Sequence, residues 1–190
     1  MKYIKILGLL AVAAAALMAF AGSASATTVT TTTGGAAATP KIHGVNEGGH
    51  VVLANSIANI ECSSTYESSV ESHGAGVTDK GVFIAWLFTG CTNEWHVTII
   101  ALGSFETHWI SGHNGVVTIS GLLFSATRFG VTCNYETKNT SIGTVTGGSP
   151  ATLDVSASIP IAAGSSFLCG SGNAKFSGSY VTTSALYVAP

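Results

Sequence analysis

Four cysteines constrain the fold of this 190-residue chain more than any other feature: Cys62, Cys91, Cys133 and Cys169. No two of them are separated by the two to four residues typical of a zinc site. An even number of cysteines in an exported chain instead indicates disulfides, and four cysteines allow three pairings. An apolar residue stands two positions before both Cys62 and Cys133. This similarity favours Cys62–Cys91 and Cys133–Cys169 as the bridges of two duplicated halves.

The first 26 residues have the pattern of a bacterial signal peptide. Lys2 and Lys5 precede an apolar run at 6–20, and residues 24–26 (ASA) form a small-x-small cleavage site. The run is shorter than the roughly 20 residues of a membrane span. We therefore expect a protein that is secreted, extracellular or cell-wall associated, with no membrane span after cleavage.

Composition divides the rest of the chain into a tether and one domain. Residues 27–40 (TTVTTTTGGAAATP) are of low complexity and predict a flexible tether, whereas 41–190 suit a single β domain. Charged residues make up only 8% of the chain, and its formal net charge is −2. That balance argues against nucleic acid as a partner, because a phosphate backbone requires a basic face.

The most apolar part of the exported chain is the stretch 81–102, GVFIAWLFTGCTNEWHVTIIAL. Its two apolar runs, 82–88 and 95–102, flank a turn that contains Cys91, which predicts a central hairpin. In the second run apolar residues alternate with polar ones, the pattern of a strand with one buried side. We expect 106–110 to pair next with this strand, so that Trp109 lies on the buried face with Trp95.

Short strands separated by turn residues account for the whole domain. No window outside the signal peptide has helical periodicity. The sequence therefore predicts an all-β protein, a disulfide-stapled antiparallel β-sandwich with Greek-key-like connections, with a barrel as the alternative. Beyond the segments above, the predicted strands are 50–55 (after a Gly48-Gly49 turn), 58–62, 67–73, 116–120, 122–126, 129–134, 144–147, 152–159, 175–182 and 186–188.

Polar side chains around the predicted hairpin form the candidate binding surface: Glu94, His96, His108, His113 and Asn114. In the expected register His96 and His108 lie about four residues apart along the ladder, roughly 13 Å. Two ligands of one zinc ion must both lie within about 2.1 Å of it. We therefore predict neither a metal nor a cofactor here.

Catalytic patterns are weak in this chain. There is no Gly-x-Ser-x-Gly motif, and Asp79 and Asp154 have no neighbouring histidine. The sequence predicts a non-catalytic binding or structural protein outside the cell, with a cell-envelope glycan or protein as its partner. The alternative is a secreted hydrolase or metal-dependent enzyme that uses His96 or His108.

Several short segments carry a resemblance to a group of proteins. They are 60–62 (IEC), 88–91 (FTGC), 133–135 (CNY), 176–180 (FSGSY) and 186–188 (LYV). Together they resemble uncharacterised secreted β-rich proteins of actinobacteria, over about residues 48–188. The resemblance implies an exported β-rich protein and no particular activity.

Overall fold

The computed structural model describes residues 27–72 and 78–190, so the predicted signal peptide lies outside the described residues. Within these ranges the chain forms strands and two short 3-10 turns, Thr92–Glu94 and Phe167–Cys169. The described part of the chain contains no helix with the length and hydropathy that a bilayer crossing requires. The all-β class is confirmed.

The strands follow one another with short connections. They are β1 (Thr28–Thr30), β2 (Lys41–Ala54), β3 (Asn59–Ser72), β4 (Asp79–Thr89), β5 (His96–Ala101), β6 (Ser104–Ser111), β7 (Asn114–Ser120), β8 (Leu123–Arg128), β9 (Val131–Glu136), β10 (Thr140–Thr146), β11 (Thr152–Ile159), β12 (Ala174–Thr182) and β13 (Tyr187–Ala189).

Eight of the strands close into an antiparallel barrel in the order β10-β11-β12-β2-β3-β4-β6-β7, the architecture that the sequence left as the alternative. A separate sheet, β5-β8-β9, packs its apolar side chains against the barrel, and β1 pairs with β13. The predicted disulfides are both present, as Cys62–Cys91 and Cys133–Cys169. Cys62 lies in the barrel and Cys133 in the three-stranded sheet, so the two bridges do not occupy equivalent positions.

Strict alternation of side chains makes these segments barrel strands. Along β11 the buried residues are Leu153, Val155, Ala157 and Ile159, and the residues between them are half-buried or exposed. Successive side chains of a strand point to opposite faces, so each strand delivers every second residue to the barrel interior.

Two predicted strand boundaries differ from those of the structure, because β2 and β3 are longer than the segments that the sequence predicts. The predicted turn at Gly48-Gly49 is a bulge inside β2, where the register with β3 shifts between Val45 and Val51. Both glycines have positive φ, and the Asn46 side chain closes the bulge by donating to the Gly49 carbonyl at 2.7 Å. The segments predicted at 58–62 and 67–73 are joined in β3, which the structure describes to Ser72. Bulges of this kind let a strand bend around a barrel without leaving it.

The predicted central hairpin is wrong. β4 pairs with β3 and, over residues 79–82, with β6, whereas β5 pairs with β8. The expected register between β5 and β6 therefore does not exist. The connection after β4 is bound to β3 through Cys91 and passes through two left-handed residues, Asn93 and Glu94, which redirect the chain out of the barrel.

The first part of the predicted tether belongs to the fold. β1 pairs antiparallel with β13, and Thr27, Val29 and Thr30 are buried, whereas residues 31–40 are largely exposed. Val29 lies beside Val188 against a small apolar cavity, about 40 Å³, at one end of the barrel interior. The β-branched residues suit a strand, and the apolar side chain of Val29 covers this end of the barrel.

Aromatic side chains fill the middle of the barrel around one buried polar cluster. The Tyr180 hydroxyl donates to Ser64 Oγ at 2.9 Å, and Trp86 Nε1 donates to the same oxygen at 3.1 Å. Trp86 Nε1 also lies 3.3 Å from the Tyr180 oxygen. Because buried polar groups are costly unless paired, this triangle fixes how the rings pack.

Replacement of Tyr180 by Phe tests this cluster. The variant deletes the donor to Ser64 while keeping the ring, so we expect the free energy of unfolding to fall by about 1–2 kcal/mol in urea denaturation. Tyr66→Phe is the matched control, because Tyr66 is equally central but lines the cavity. An equal loss in both variants would show that the triangle has no special role.

Asp79 is the one carboxyl side chain among the described residues that is fully buried. It lies on the interior face of β4 opposite Thr107, and neither of its carboxyl oxygens meets a hydrogen-bond donor among the described residues. The adjacent Lys80 points to the outer face, where it pairs with Glu106 at 3.1 Å. Burial raises the pKa of Asp79 to about 7, because the charged form loses its hydration.

This carboxyl predicts an unusual pH dependence of stability. The folded protein keeps the Asp79 proton up to about pH 7, whereas the unfolded chain releases it near its ordinary pKa of 3.8. The free energy of unfolding therefore falls as pH rises from about 4 to about 7, by up to about 4 kcal/mol. Urea denaturation at pH 4, 5.5, 7 and 8 measures this slope.

The variant Asp79→Asn should remove that slope and be more stable than the wild type at pH 7. Asp154→Asn is the control, since Asp154 is exposed on β11 and only accepts a hydrogen bond from Ser179. A wild-type profile that rises from pH 4 to 7 and is parallel to that of Asp79→Asn would contradict the assignment.

Candidate functional site

An open cleft lies where β4 ends and β5 begins, with a volume of about 380 Å³. It is much larger than the two apolar cavities found inside the fold, of about 40 and 10 Å³. The cleft is lined by Phe88, Thr89, Gly90, Cys91, Glu94, Trp95, His96, Val97 and Thr98. Its size is at the lower end of the range for small-molecule sites, and it opens to solvent.

The floor of the cleft is fixed by covalent and polar contacts with the barrel. Cys91 is bonded to Cys62 in β3, and the Glu61 N–H donates to Thr92 Oγ1 at 3.1 Å. The buried side chains of Trp95 and Val97 then hold β5 against the barrel. This short segment is therefore held at both ends, and its exposed side chains project from a rigid base.

The segment is also strained. Asn93 and Glu94 are consecutive residues with positive φ, 56° and 61°, and neither is glycine. Asn tolerates the left-handed conformation, but for Glu it costs on the order of 1 kcal/mol. Strain of this kind persists only where the surroundings impose it, and it concentrates at binding and catalytic sites.

The groups in the cleft can recognise a polar ligand. Glu94 offers a carboxylate and His96 an imidazole, and both side chains are exposed. Thr89 and Thr98 add hydroxyl groups, and Phe88 contributes an apolar surface beside them. A few polar groups next to an aromatic surface form the usual pattern of a site for a small hydroxyl-bearing molecule.

The structure brings together two of the five residues predicted as a binding surface. Glu94 and His96 line the same cleft. His108 lies on the outer face of β6, opposite Val116, with its Nε2 3.9 Å from Glu106 Oε2. It belongs to the barrel, whereas His96 pairs with Thr127 in the three-stranded sheet.

His113 and Asn114 lie at the β6–β7 turn, which is tied to its neighbours. The His113 carbonyl accepts hydrogen bonds from the N–H groups of Gly147 and Val188, at 3.0 and 3.3 Å. The His113 ring packs edge-on against Tyr187, with centroids 5.3 Å apart. Asn114 is the first residue of β7 and pairs with Thr146. These residues help to close the barrel end and are not part of the cleft.

Sequence reasoning missed Thr89, Gly90 and Thr98 as cleft residues. Thr89 and Gly90 fall in the predicted turn of the hairpin and Thr98 in its second predicted strand, where the sequence predicts no cleft. The left-handed backbone of Glu94, which no turn propensity predicts, is the feature that turns the expected hairpin into a cleft. Within 27–72 and 78–190, no group of three or more His, Cys, Asp or Glu residues has the arrangement of a metal site.

Comparisons with protein-family models, with curated proteins and with solved structures found no match to this chain.

Glycine substitution tests the strain at the cleft. Glu94→Gly relieves the left-handed backbone, so we expect the free energy of unfolding to stay constant or rise by up to about 1 kcal/mol. Glu136→Gly, in the regular strand β9, is the control and should lose about 0.5–1 kcal/mol. A larger loss in Glu94→Gly than in the control would mean that the Glu94 side chain stabilises the fold and that strain is not the governing feature. Chemical denaturation measures both.

Proposed function

We propose that this chain is an exported, non-catalytic binding protein of the cell envelope. Its ligand in this proposal is a small hydroxyl-bearing unit, such as one sugar of an envelope glycan, bound in the cleft at residues 88–98. The observation that carries the proposal is the cleft itself, a polar opening built on a disulfide-anchored and strained segment.

The disulfides support the location. Both bridges lie in the described fold, and two disulfides of this kind belong to an oxidising environment. The pattern of residues 1–26 supports secretion as the route to that environment. Retention at the bacterial cell wall would follow from glycan binding.

The geometry favours binding by pre-formed groups. Cys91 and Trp95 hold the backbone of the segment against the barrel, so this backbone loses little freedom when a ligand arrives. A backbone that is already ordered reduces the entropic cost of association. A carboxylate accepts hydrogen bonds from sugar hydroxyls, and an imidazole can donate or accept one.

Cosedimentation with insoluble bacterial peptidoglycan tests the proposal. We expect saturable binding by the wild type and at least a fivefold weaker Kd for both Glu94→Gln and His96→Ala. His108→Ala is the matched control, because His108 is equally exposed but lies on the barrel surface. Equal retention of all four proteins, or of none, would overturn the proposed ligand.

The alternative function is a secreted hydrolase or metal-dependent enzyme. One observation favours it: Glu94 and His96, a carboxylate and an imidazole, share one cleft and are the residue types of acid–base catalysis. His108, the other histidine predicted for such an enzyme, lies in a different sheet. Release of soluble saccharide during the same incubation, abolished in Glu94→Gln and not in His108→Ala, would favour the enzyme over the binding protein.

A further inference from the structure

Thr27 is the first residue after the predicted cleavage site at residues 24–26, and it belongs to the fold. It is buried, and its Oγ1 accepts a hydrogen bond from the Trp109 N–H at 3.0 Å. The next residue, Thr28, begins β1. Cleavage at this site would therefore leave the new chain end at a fixed, buried point, whereas the ends of most domains are poorly ordered.

Asp79 is the neighbour of Thr27 along one edge of β6. Asp79 pairs with Thr107, and Trp109, which binds Thr27, lies two residues further along the same strand. The His108 carbonyl faces β7, so the backbone groups of Thr107 and Trp109 face the side that β4 occupies, because these groups alternate along a strand. Two residues span about 7 Å of a strand. A carboxylate at Asp79 can therefore meet the main-chain nitrogen of Thr27.

The Asp79 carboxyl lacks the partner that its position requires. The side chain is fully buried, and neither of its oxygens has a hydrogen-bond donor among the described residues. The small cavity at this end of the barrel interior is lined by apolar and hydroxyl-bearing side chains, with no cation. Burial of a carboxylate is costly unless a cation or several donors accompany it. A positive charge at this point would remove the cost.

The charged groups around this carboxyl do not supply that charge. Lys80 and His108 both lie on the outer face of the sheet, 3.1 and 3.9 Å from Glu106. Glu71, near the end of β3, is exposed and negative. His113, at the β6–β7 turn, packs against the ring of Tyr187. In the part of the chain that the structure describes, the position of Thr27 is therefore the place from which a cation could reach the carboxyl.

We propose that hydrolysis of the bond between Ala26 and Thr27 creates the missing partner, so that the α-ammonium group of mature Thr27 forms a buried ion pair with Asp79. A signal peptidase adds one water molecule across this amide bond, which leaves a carboxylate on Ala26 and an ammonium group on Thr27 with no other reactant. The inference rests on the export that the proposed function includes. Processing would then complete the fold as well as release the protein.

The pH dependence described above for Asp79 belongs to a chain in which a peptide bond precedes Thr27. The Thr27 nitrogen is then an uncharged amide, and the buried carboxyl keeps its proton. In the mature chain the ammonium group stabilises the carboxylate, so Asp79 is ionised in the folded and the unfolded protein alike. The stability of the mature chain therefore does not fall between pH 4 and 7. It falls only above about pH 7.7, where an α-amino group of the unfolded chain loses its proton.

Urea denaturation of two forms that differ only at the N-terminus tests the proposal. The mature form begins at Thr27, and the extended form retains Ser25 and Ala26, so that its Thr27 nitrogen is an amide. From pH 4 to 7 the urea midpoint of the extended form should fall, whereas that of the mature form should stay constant or rise. At pH 7 the mature form should have the higher midpoint by about 1 M. Parallel profiles of the two forms would overturn the proposal.

Asp79→Asn should have opposite effects in the two forms at pH 7. In the extended form it should raise the urea midpoint, because it removes an unpaired buried carboxyl. In the mature form it should lower the midpoint, because the ammonium group loses its counterion. Asp154→Asn, exposed on β11, is the matched control and should change neither form appreciably. An effect of Asp79→Asn with the same sign in both forms would contradict the ion pair.

Acylation of the α-amine gives a readout that a purely structural role of Thr27 would not change. At pH 7 the amine of the mature wild type should react about tenfold more slowly than that of mature Asp79→Asn, because the ion pair holds its proton. Peptide mapping by mass spectrometry measures this rate and that of Lys138, which is largely exposed and should react equally in both proteins. Equal α-amine rates would also overturn the proposal.

The same mapping locates the N-terminus of the exported protein. A start at Thr27 supports the inference, and a start at any other residue would overturn it. Peptidoglycan binding should be equal in the mature and extended forms, since the cleft at 88–98 lies at the opposite end of β4 from Asp79. The ion pair and the proposed ligand therefore fail or succeed independently.

Discussion

Closure of a sheet into a barrel removes its exposed edges but leaves an interior that must be filled and two ends that must be covered. In this protein the interior is filled by aromatic rings around the hydrogen-bonded Ser64, Trp86 and Tyr180. One end is covered by the β1–β13 pair and the other by the three-stranded sheet. The closing contact between β4 and β6 spans only four residue pairs, so the barrel depends on these covers as well as on its own ladder.

The three-stranded sheet is built from two connections between barrel strands. The connection from β4 to β6 contains β5, and the connection from β7 to β10 contains β8 and β9. The disulfide at Cys91 anchors the start of the β4–β6 connection, and the disulfide at Cys133 anchors the β7–β10 connection. The cleft lies on the first of these connections, which the rigid barrel holds in place, the usual relation between a loop and its scaffold.

Local patterns were sufficient for most strands and for the disulfides. The alternation around Trp95 and Val97 predicted the buried face of β5, and the similar surroundings of Cys62 and Cys133 predicted the pairing. The pairing partner of each strand was harder to predict from the sequence. Two consecutive apolar strands joined by a short turn usually pair, but β4 and β5 do not, because Asn93 and Glu94 turn the chain and Cys91 fixes it to β3. Glu94 and His96 were found together because they are close in sequence, whereas the placement of His108 on the same polar face, about 13 Å from His96, required that wrong pairing.

The sequence by itself determined the all-β class, the buried face of β5 and the residues available for disulfides, because these follow from side-chain period and residue type within short segments. Barrel closure, the incorporation of Thr28–Thr30 into the fold and the burial of Asp79 were decided by the tertiary structure. They depend on contacts between residues far apart in sequence, such as Val29 with Val188 and Asp79 with Thr107. The clearest case is the 3-10 turn Phe167–Cys169, which is bound to the β2–β3 turn through Ser56, more than 100 residues earlier in the chain, and to β9 through Thr132 and Cys133.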